Sequence, residues 1–226
     1  MKDKGMFISC SLSCVDLMNL EKSIEEINHS SIDYIHYDVV DGEFNNCFIF
    51  GDIILEKVKS FTKKPIEVHL ACNNVEKYLI PFAKAGADYI AIHYETTNNI
   101  KEMFSLIKSL NVKPILAFRA DTEVPDNFVD LARDVEWILK LTVNPGFAGQ
   151  KIQKQAIEHI HKMNDLIEKH HLSTKIQADG NINVNTIPEV VKAGATILTG
   201  GSSGLFNNTG DLETNIIKML EAANYE

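Results

Sequence analysis

The sequence predicts an α/β fold, a single-domain (β/α)8 barrel of the TIM type spanning residues 1–226. Three observations carry that expectation. Short runs rich in β-branched and aromatic residues alternate with longer segments of helical periodicity, the alternation recurs roughly every 20–30 residues without a low-complexity linker, and eight runs of each kind can be counted. Strict alternation favours a closed parallel barrel over its competitor, an open doubly wound sheet.

The strand candidates are Phe7–Ser11, Tyr34–Val39, Pro65–Leu70, Tyr89–His93, Lys113–Phe118, Trp137–Thr142, Lys175–Ala178 and Thr196–Thr199. Helices are expected over Asp16–Ile27, Gly51–Phe61, Val75–Ala85, Ile100–Leu110, Asn127–Arg133, Ile152–His171, Ile187–Ala193 and Asp211–Leu220. Ala-Gly-Ala occurs at Ala85–Ala87 and again at Ala193–Ala195, each where a helix should stop and a strand follow, so Gly86 and Gly194 read as C-caps.

Composition narrows the function. The chain is 45% hydrophobic and 23% charged, ordinary for a soluble domain with a sizeable core. Its net charge of -9 and the lack of a Lys/Arg-rich run disfavour nucleic acid as a partner. No membrane span is expected, and Ser9, Ser11 and Ser13 interrupt the apolar stretch near the N-terminus that a signal peptide would need. Cys10, Cys14, Cys47 and Cys72 have no Cys-x-x-Cys spacing, so reduced thiols in a cytoplasm are expected.

In a parallel barrel, chemistry belongs at the C-terminal ends of the strands. His36 and Asp38 lie two residues apart on the second strand candidate, so both side chains leave on one face. His69 closes the third candidate and Asp179-Gly180 follow the seventh. Two imidazoles and two carboxylates therefore converge on one rim. Burying both carboxylates without a cation is costly, so the quartet implies either one divalent metal ion or strongly raised carboxyl pKa values. Zinc suits these ligands best, with iron, manganese or cobalt as alternatives. His93 is either another polar wall of the site or a hydrogen-bonded barrel residue.

Two glycine-containing segments complete the rim. Thr142–Gln150 follows the sixth strand candidate, with Gly146 and Gly149 able to curl backbone N–H groups around an anion. Thr199–Gly204 follows the eighth, where barrels commonly seat phosphate. With Gly180 between them they form one arc; the alternative for each is an ordinary surface turn.

These residues together resemble the ribulose-phosphate 3-epimerase family. The likeness runs from Phe7 to Phe206 and rests on Ile8–Leu12 with Asp16, His36-x-Asp38 with Asp41-Gly42, Val68-His69-Leu70, Asn144–Gln150, Asp179-Gly180 and Gly201-Ser202. Ser11–Asp16, the Phe-Ala-Gly-Gln loop and Ser203–Asn207 look closer to the D-allulose-6-phosphate 3-epimerase branch than to the ribulose-5-phosphate branch. The resemblance implies a homo-oligomeric enzyme acting on a small phosphorylated ketose. The metal, held by His36, Asp38, His69 and Asp179, would bind the C2 and C3 oxygens and stabilise an enediolate. Asp38 and Asp179 would exchange the C3 proton on opposite faces. Ser11 and His69 would touch the sugar, while Gly146, Phe147, Ala148, Gly149, Gly180, Asn181, Gly201 and Ser202 would hold its phosphate.

Several residues depart from the family pattern. Val40, Ala71 and Leu141 stand where methionine is usual, so the pocket should be roomier or have new neighbours. Glu43–Cys47 lacks the customary proline, so this lid should be looser. Arg119 occupies the fifth strand's rim, either solvated or contacting an extra acidic or polar substrate group. Two other functions compete: a phosphosugar-binding barrel without turnover, and a sugar-phosphate lyase. A Schiff-base lyase needs an inward lysine, and Lys140 is expected to face outward because Leu141 faces inward.

Overall fold

In the computed structural model, which describes residues 5–144, 149–207 and 209–224, the chain forms a closed barrel. Nine strands are described in chain order: β1 Phe7–Ser11, β2 Tyr34–Asp41, β3 Phe48–Ile49, β4 Ile66–Ala71, β5 Tyr89–His93, β6 Lys113–Phe118, β7 Trp137–Leu141, β8 Lys175–Asp179 and β9 Ile197–Gly200. Eight pair in parallel, and the β1–β2 and β1–β9 ladders close the ring. The two-residue β3 was not expected; it folds back antiparallel on β2, pairing Val40 with Ile49 and Asp41 with Phe48. Its brevity hides it from periodicity, which needs several alternations to register.

The helices are α1 Leu20–His29, α2 Asp52–Phe61, α3 Glu76–Lys84, α4 Ile100–Ser109, α5 Phe128–Ala132, α6 Lys154–Lys169, α7 Ile187–Lys192 and α8 Leu212–Ala223. The expected start of α1 at Asp16 is instead a separate 3-10 turn, Leu17–Asn19, because the Asp16 carboxylate accepts from the Met18 N–H. Both Ala-Gly-Ala segments end helices as expected. Gly86 and Gly194 have φ of 107° and 115°, and Ala87 and Ala195 donate N–H bonds back to Phe82 and Val190.

Alternation along the strands sorts the side chains. Ile35, Tyr37, Val39, Val68, Leu70, Ile90, Ile92, Leu116 and Phe118 face outward and pack with Leu55, Val58, Leu79, Phe82, Phe104, Ile107, Ile160 and Met163 of the helices. The inward set closes the barrel's N-terminal end with aromatic rings: Trp137 lies with its centroid 5.2 Å from Tyr34 and 4.5 Å from Tyr89. Above this plug lie buried polar residues, and above those the mouth. Among the described residues no helix is long and apolar enough to cross a membrane. All four cysteines are free.

Candidate active site

The mouth is built by register. Asp38 pairs with His69, His36 with Glu67 and Leu141 with Asp179 across neighbouring strands, so the inward residues of β2, β4, β7 and β8 stack at the same level. Ligand atoms of His36, Asp38, His69 and Asp179 lie within 4.8 Å of one another, the only group of this kind among the described residues. His36 Nε2 is 3.0 Å from Asp38 Oδ1 and 3.6 Å from Asp179 Oδ2. His69 Nδ1 is 3.3 Å from Asp38 Oδ1 and 4.0 Å from Asp179 Oδ2. Ser11 and Ser13 hydroxyls donate to Asp38 Oδ2 at 3.0 and 3.1 Å.

The electrostatics call for a positive charge at the centre. Burial pushes the His36 pKa down, but Asp38, Asp179 and Glu67 around the ring outweigh it and hold the imidazole well above its usual value. Burial would raise Asp38, yet His36 first, and His69 beside it, hold it well below the carboxylate range. Asp179 moves the other way: burial raises it, and the repulsion of Asp38 and Glu67 adds to the rise. With nitrogen and oxygen donors this close and two carboxylates needing neutralisation, the residues fit a divalent cation.

Beneath the quartet lie residues that motif reading missed. Glu67 Oε1 accepts from His36 Nδ1 at 2.9 Å, from Gln177 Nε2 at 2.6 Å and from the Ser9 hydroxyl, while its buried Oε2 has no partner. Gln177 is in turn fixed by Trp137 Nε1, which donates to its Oε1 at 2.6 Å. Period-two counting could have found both, since Glu67 precedes His69, and Gln177 precedes Asp179, by two positions on inward faces. His93 is fully buried, with Nε2 2.8 Å from His69 Nε2 and Nδ1 donating to Glu95 Oε2 at 3.0 Å. The hydrogen-bonded alternative for His93 is the one observed.

A cavity of about 470 Å³ opens over the quartet, within the usual size range of small-molecule sites. Ser11, Asp38, His69, Gly149, Asp179, Gly180, Asn181, Gly201 and Ser202 all line it, as do Val40, Ala71 and Leu141. His36 lies beneath its floor, fully buried. Gly146, Phe147 and Ala148 lie outside the described residues.

The departures acquire physical meaning here. Val40 and Ala71 pack with Phe44, against Cys47 and Ile49, so the missing methionine volume meets new neighbours from the lid. The proline-free lid is tied down by other means: Asp41 Oδ1 accepts the Glu43 and Phe44 N–H groups at 3.0 and 2.9 Å. Arg119 adds to this, stacking its guanidinium 3.7 Å from the Phe44 ring centre and donating Nη2 to the Phe44 carbonyl at 3.3 Å. Half-buried, it turns towards the lid. Lys140 faces away from the mouth, as expected, and is buried; its Nζ donates to the Arg119 and Thr122 carbonyls at 2.6 and 2.8 Å.

Glu95 gives a stability prediction. Burial raises its pKa, but the hydrogen bond from His93 and those from Thr122 and the Arg119 N–H bring it down to about 2. A carboxylate depressed from 4.5 to about 2 contributes stability fully present above its unfolded value and lost as pH falls through its folded one. Glu95→Gln should therefore cost about 2–3 kcal/mol at neutral pH. In urea unfolding, the gap to wild type should close between pH 4.5 and 2; a gap independent of pH would refute the assignment.

The fold and site define a (β/α)8 barrel whose His/Asp cluster and cavity lie at the C-terminal mouth. The profile of the Ribulose-phosphate 3 epimerase family matches residues 7–206, and the chain belongs to that family. It is 35% identical to ribulose-phosphate 3-epimerase of Methanocaldococcus jannaschii, covering 96% of this chain and 90% of that one. Identity to the Bacillus subtilis ribulose-phosphate 3-epimerase is 33%, covering 87% and 90%. Among solved structures, phosphoribosyl anthranilate isomerase from Thermococcus kodakaraensis superposes with a TM-score of 0.66 at 13% identity, covering 98% of this chain and 100% of that one, a likeness of fold.

Proposed function

We propose that the chain is a 3-epimerase of a small phosphorylated ketose, working by two-base proton transfer at C3. The observation that carries this reading is that two carboxylates on different strands, Asp38 on β2 and Asp179 on β8, line the same cavity as the glycine-containing loops after β8 and β9. Asp38 takes the C3 proton from one face of the sugar and Asp179 delivers one to the other, which inverts the centre; in the reverse direction the roles exchange. His36, Asp38, His69 and Asp179 would hold a divalent cation, zinc before iron, manganese or cobalt, which would supply Lewis-acid stabilisation of the negative charge developing on the substrate.

Ser11 and Ser13 orient Asp38 through its Oδ2. Val40, Ala71 and Leu141 form an apolar wall, so that charge moves in a poorly screened space. Gly149, Gly180, Asn181, Gly201 and Ser202, with Gly146, Phe147 and Ala148, bind the phosphate. Free thiols at all four cysteines fit a reducing cytoplasm. The outward position of Lys140 argues against a Schiff-base lyase.

The substrate is either the D-ribulose 5-phosphate/D-xylulose 5-phosphate pair or the D-allulose 6-phosphate/D-fructose 6-phosphate pair. In deuterium oxide with zinc added, the protein should exchange the C3 hydrogen of at least one pair, and chelation should remove the exchange. Side-by-side rates on the pentulose and hexulose phosphates identify the preferred sugar. No exchange on either pair rejects the epimerase reading.

A further inference from the structure

We propose that Glu95 and His93 are positioning residues that fix the tautomer of His69, so that the His69 Nδ1 lone pair faces the carboxylate cluster. This rests on the reading that the quartet holds a divalent cation. A carboxylate can only accept, so Glu95 Oε2, 3.0 Å from His93 Nδ1, requires the proton of that imidazole to sit on Nδ1. His93 Nε2 is then a lone pair. It lies 2.8 Å from His69 Nε2, which must therefore be the donor. The remaining nitrogen of His69, Nδ1, stands without a proton 3.3 Å from Asp38 Oδ1 and 4.0 Å from Asp179 Oδ2. A lone pair facing two carboxylates is favourable only with a cation between them.

The opposite tautomer chain is internally consistent but meets Glu95 badly. If His69 carried its proton on Nδ1, His93 would have to donate through Nε2, and its bare Nδ1 would face the Glu95 oxygen. Two acceptors would then meet at hydrogen-bond distance in a buried place. Glu95 cannot turn aside, because its Oε1 accepts from the Arg119 N–H at 2.8 Å and from the Thr122 hydroxyl. Lys140 fixes that loop from behind through the Arg119 and Thr122 carbonyls. Water is kept from the relay as well. The Phe44 ring covers His93 with centroids 4.6 Å apart, and the Arg119 guanidinium stacks on Phe44.

The test uses uniformly 15N-labelled protein loaded with zinc and long-range 1H–15N correlation of its imidazoles. Expected are a proton on Nε2 of His69 with Nδ1 bound to zinc, and a proton on Nδ1 of His93. A His69 proton on Nδ1, or a His93 proton on Nε2, overturns the proposal. In a chelator competition, His93→Phe should bind zinc about 10–100-fold more weakly. His93→Gln, whose amide oxygen can accept from His69 Nε2–H, should stay close to wild type. Unchanged affinity in His93→Phe likewise overturns the relay, and if that variant fails to fold the wild-type spectrum decides alone. None of these measurements uses a sugar. The expected tautomers without C3 exchange reject the epimerase reading and keep the relay; turnover with the opposite tautomers rejects only the relay.

Discussion

Asp38→Asn and Asp179→Asn should each lower epimerisation by about 10²–10⁴-fold, the usual contribution of a positioned general acid or base. The substitution keeps the shape of the side chain and removes its basicity. Asp38 Oδ1 sits between the two histidines and Oδ2 between two serine hydroxyls, so an asparagine there keeps its place but cannot accept a carbon-bound proton. The two variants should fail differently. With one base left, each still exchanges the C3 hydrogen of one epimer with solvent while losing exchange of the other, and the retained epimer differs between Asp38→Asn and Asp179→Asn. The measurement is deuterium incorporation by mass spectrometry from each epimer separately. Equal loss on both epimers in both variants would point to cation loss rather than two-base transfer, and near-wild-type epimerisation in either would remove that residue from the mechanism.

Gly180→Ala should be the most damaging small substitution at the mouth, lowering stability by about 2–4 kcal/mol. Gly180 has φ of 115°, outside the space an alanine adopts comfortably. A Cβ there would stand 2.5 Å from Val143 Cγ2 and 3.2 Å from the Val143 backbone nitrogen, which cannot move aside as a side chain can. The contact lies where the end of β7 clamps the end of β8: the Thr142 N–H donates to the Asp179 carbonyl at 2.7 Å, and the Thr142 hydroxyl to that of Gly180. Pushing the clamp apart displaces Asp179, so turnover should fall along with the melting temperature, which should drop by roughly 10 °C. Gly149→Ala is the comparison. Its φ is 82° but among the described residues no atom lies within 4 Å of the added carbon, so the backbone cost of about 1–2 kcal/mol dominates. Equal melting temperatures for the two variants would contradict the steric argument.

Much of this molecule is written in local pattern. Period-two strands, helical stripes and Ala-Gly-Ala stops define the barrel because each is a short-range steric or hydrophobic preference that tertiary packing does not reverse. The same alternation puts His36, Asp38, His69 and Asp179 on inward faces at strand ends, which is why the quartet was legible from spacing alone. What only the folded chain decided depends on register and on loops. Glu67 and Gln177 became supports of the site because parallel pairing set His36 opposite Glu67 and Gln177 reached across the barrel to the same carboxylate. Arg119 could be placed at a rim by sequence, but its stacking on Phe44, 75 residues away in the chain, arises only when two barrel loops meet. The likewise distant link from His69 through His93 to Glu95 and the Arg119 N–H has no local signature, since hydrogen-bond direction between side chains is set by which acceptors the fold brings within reach.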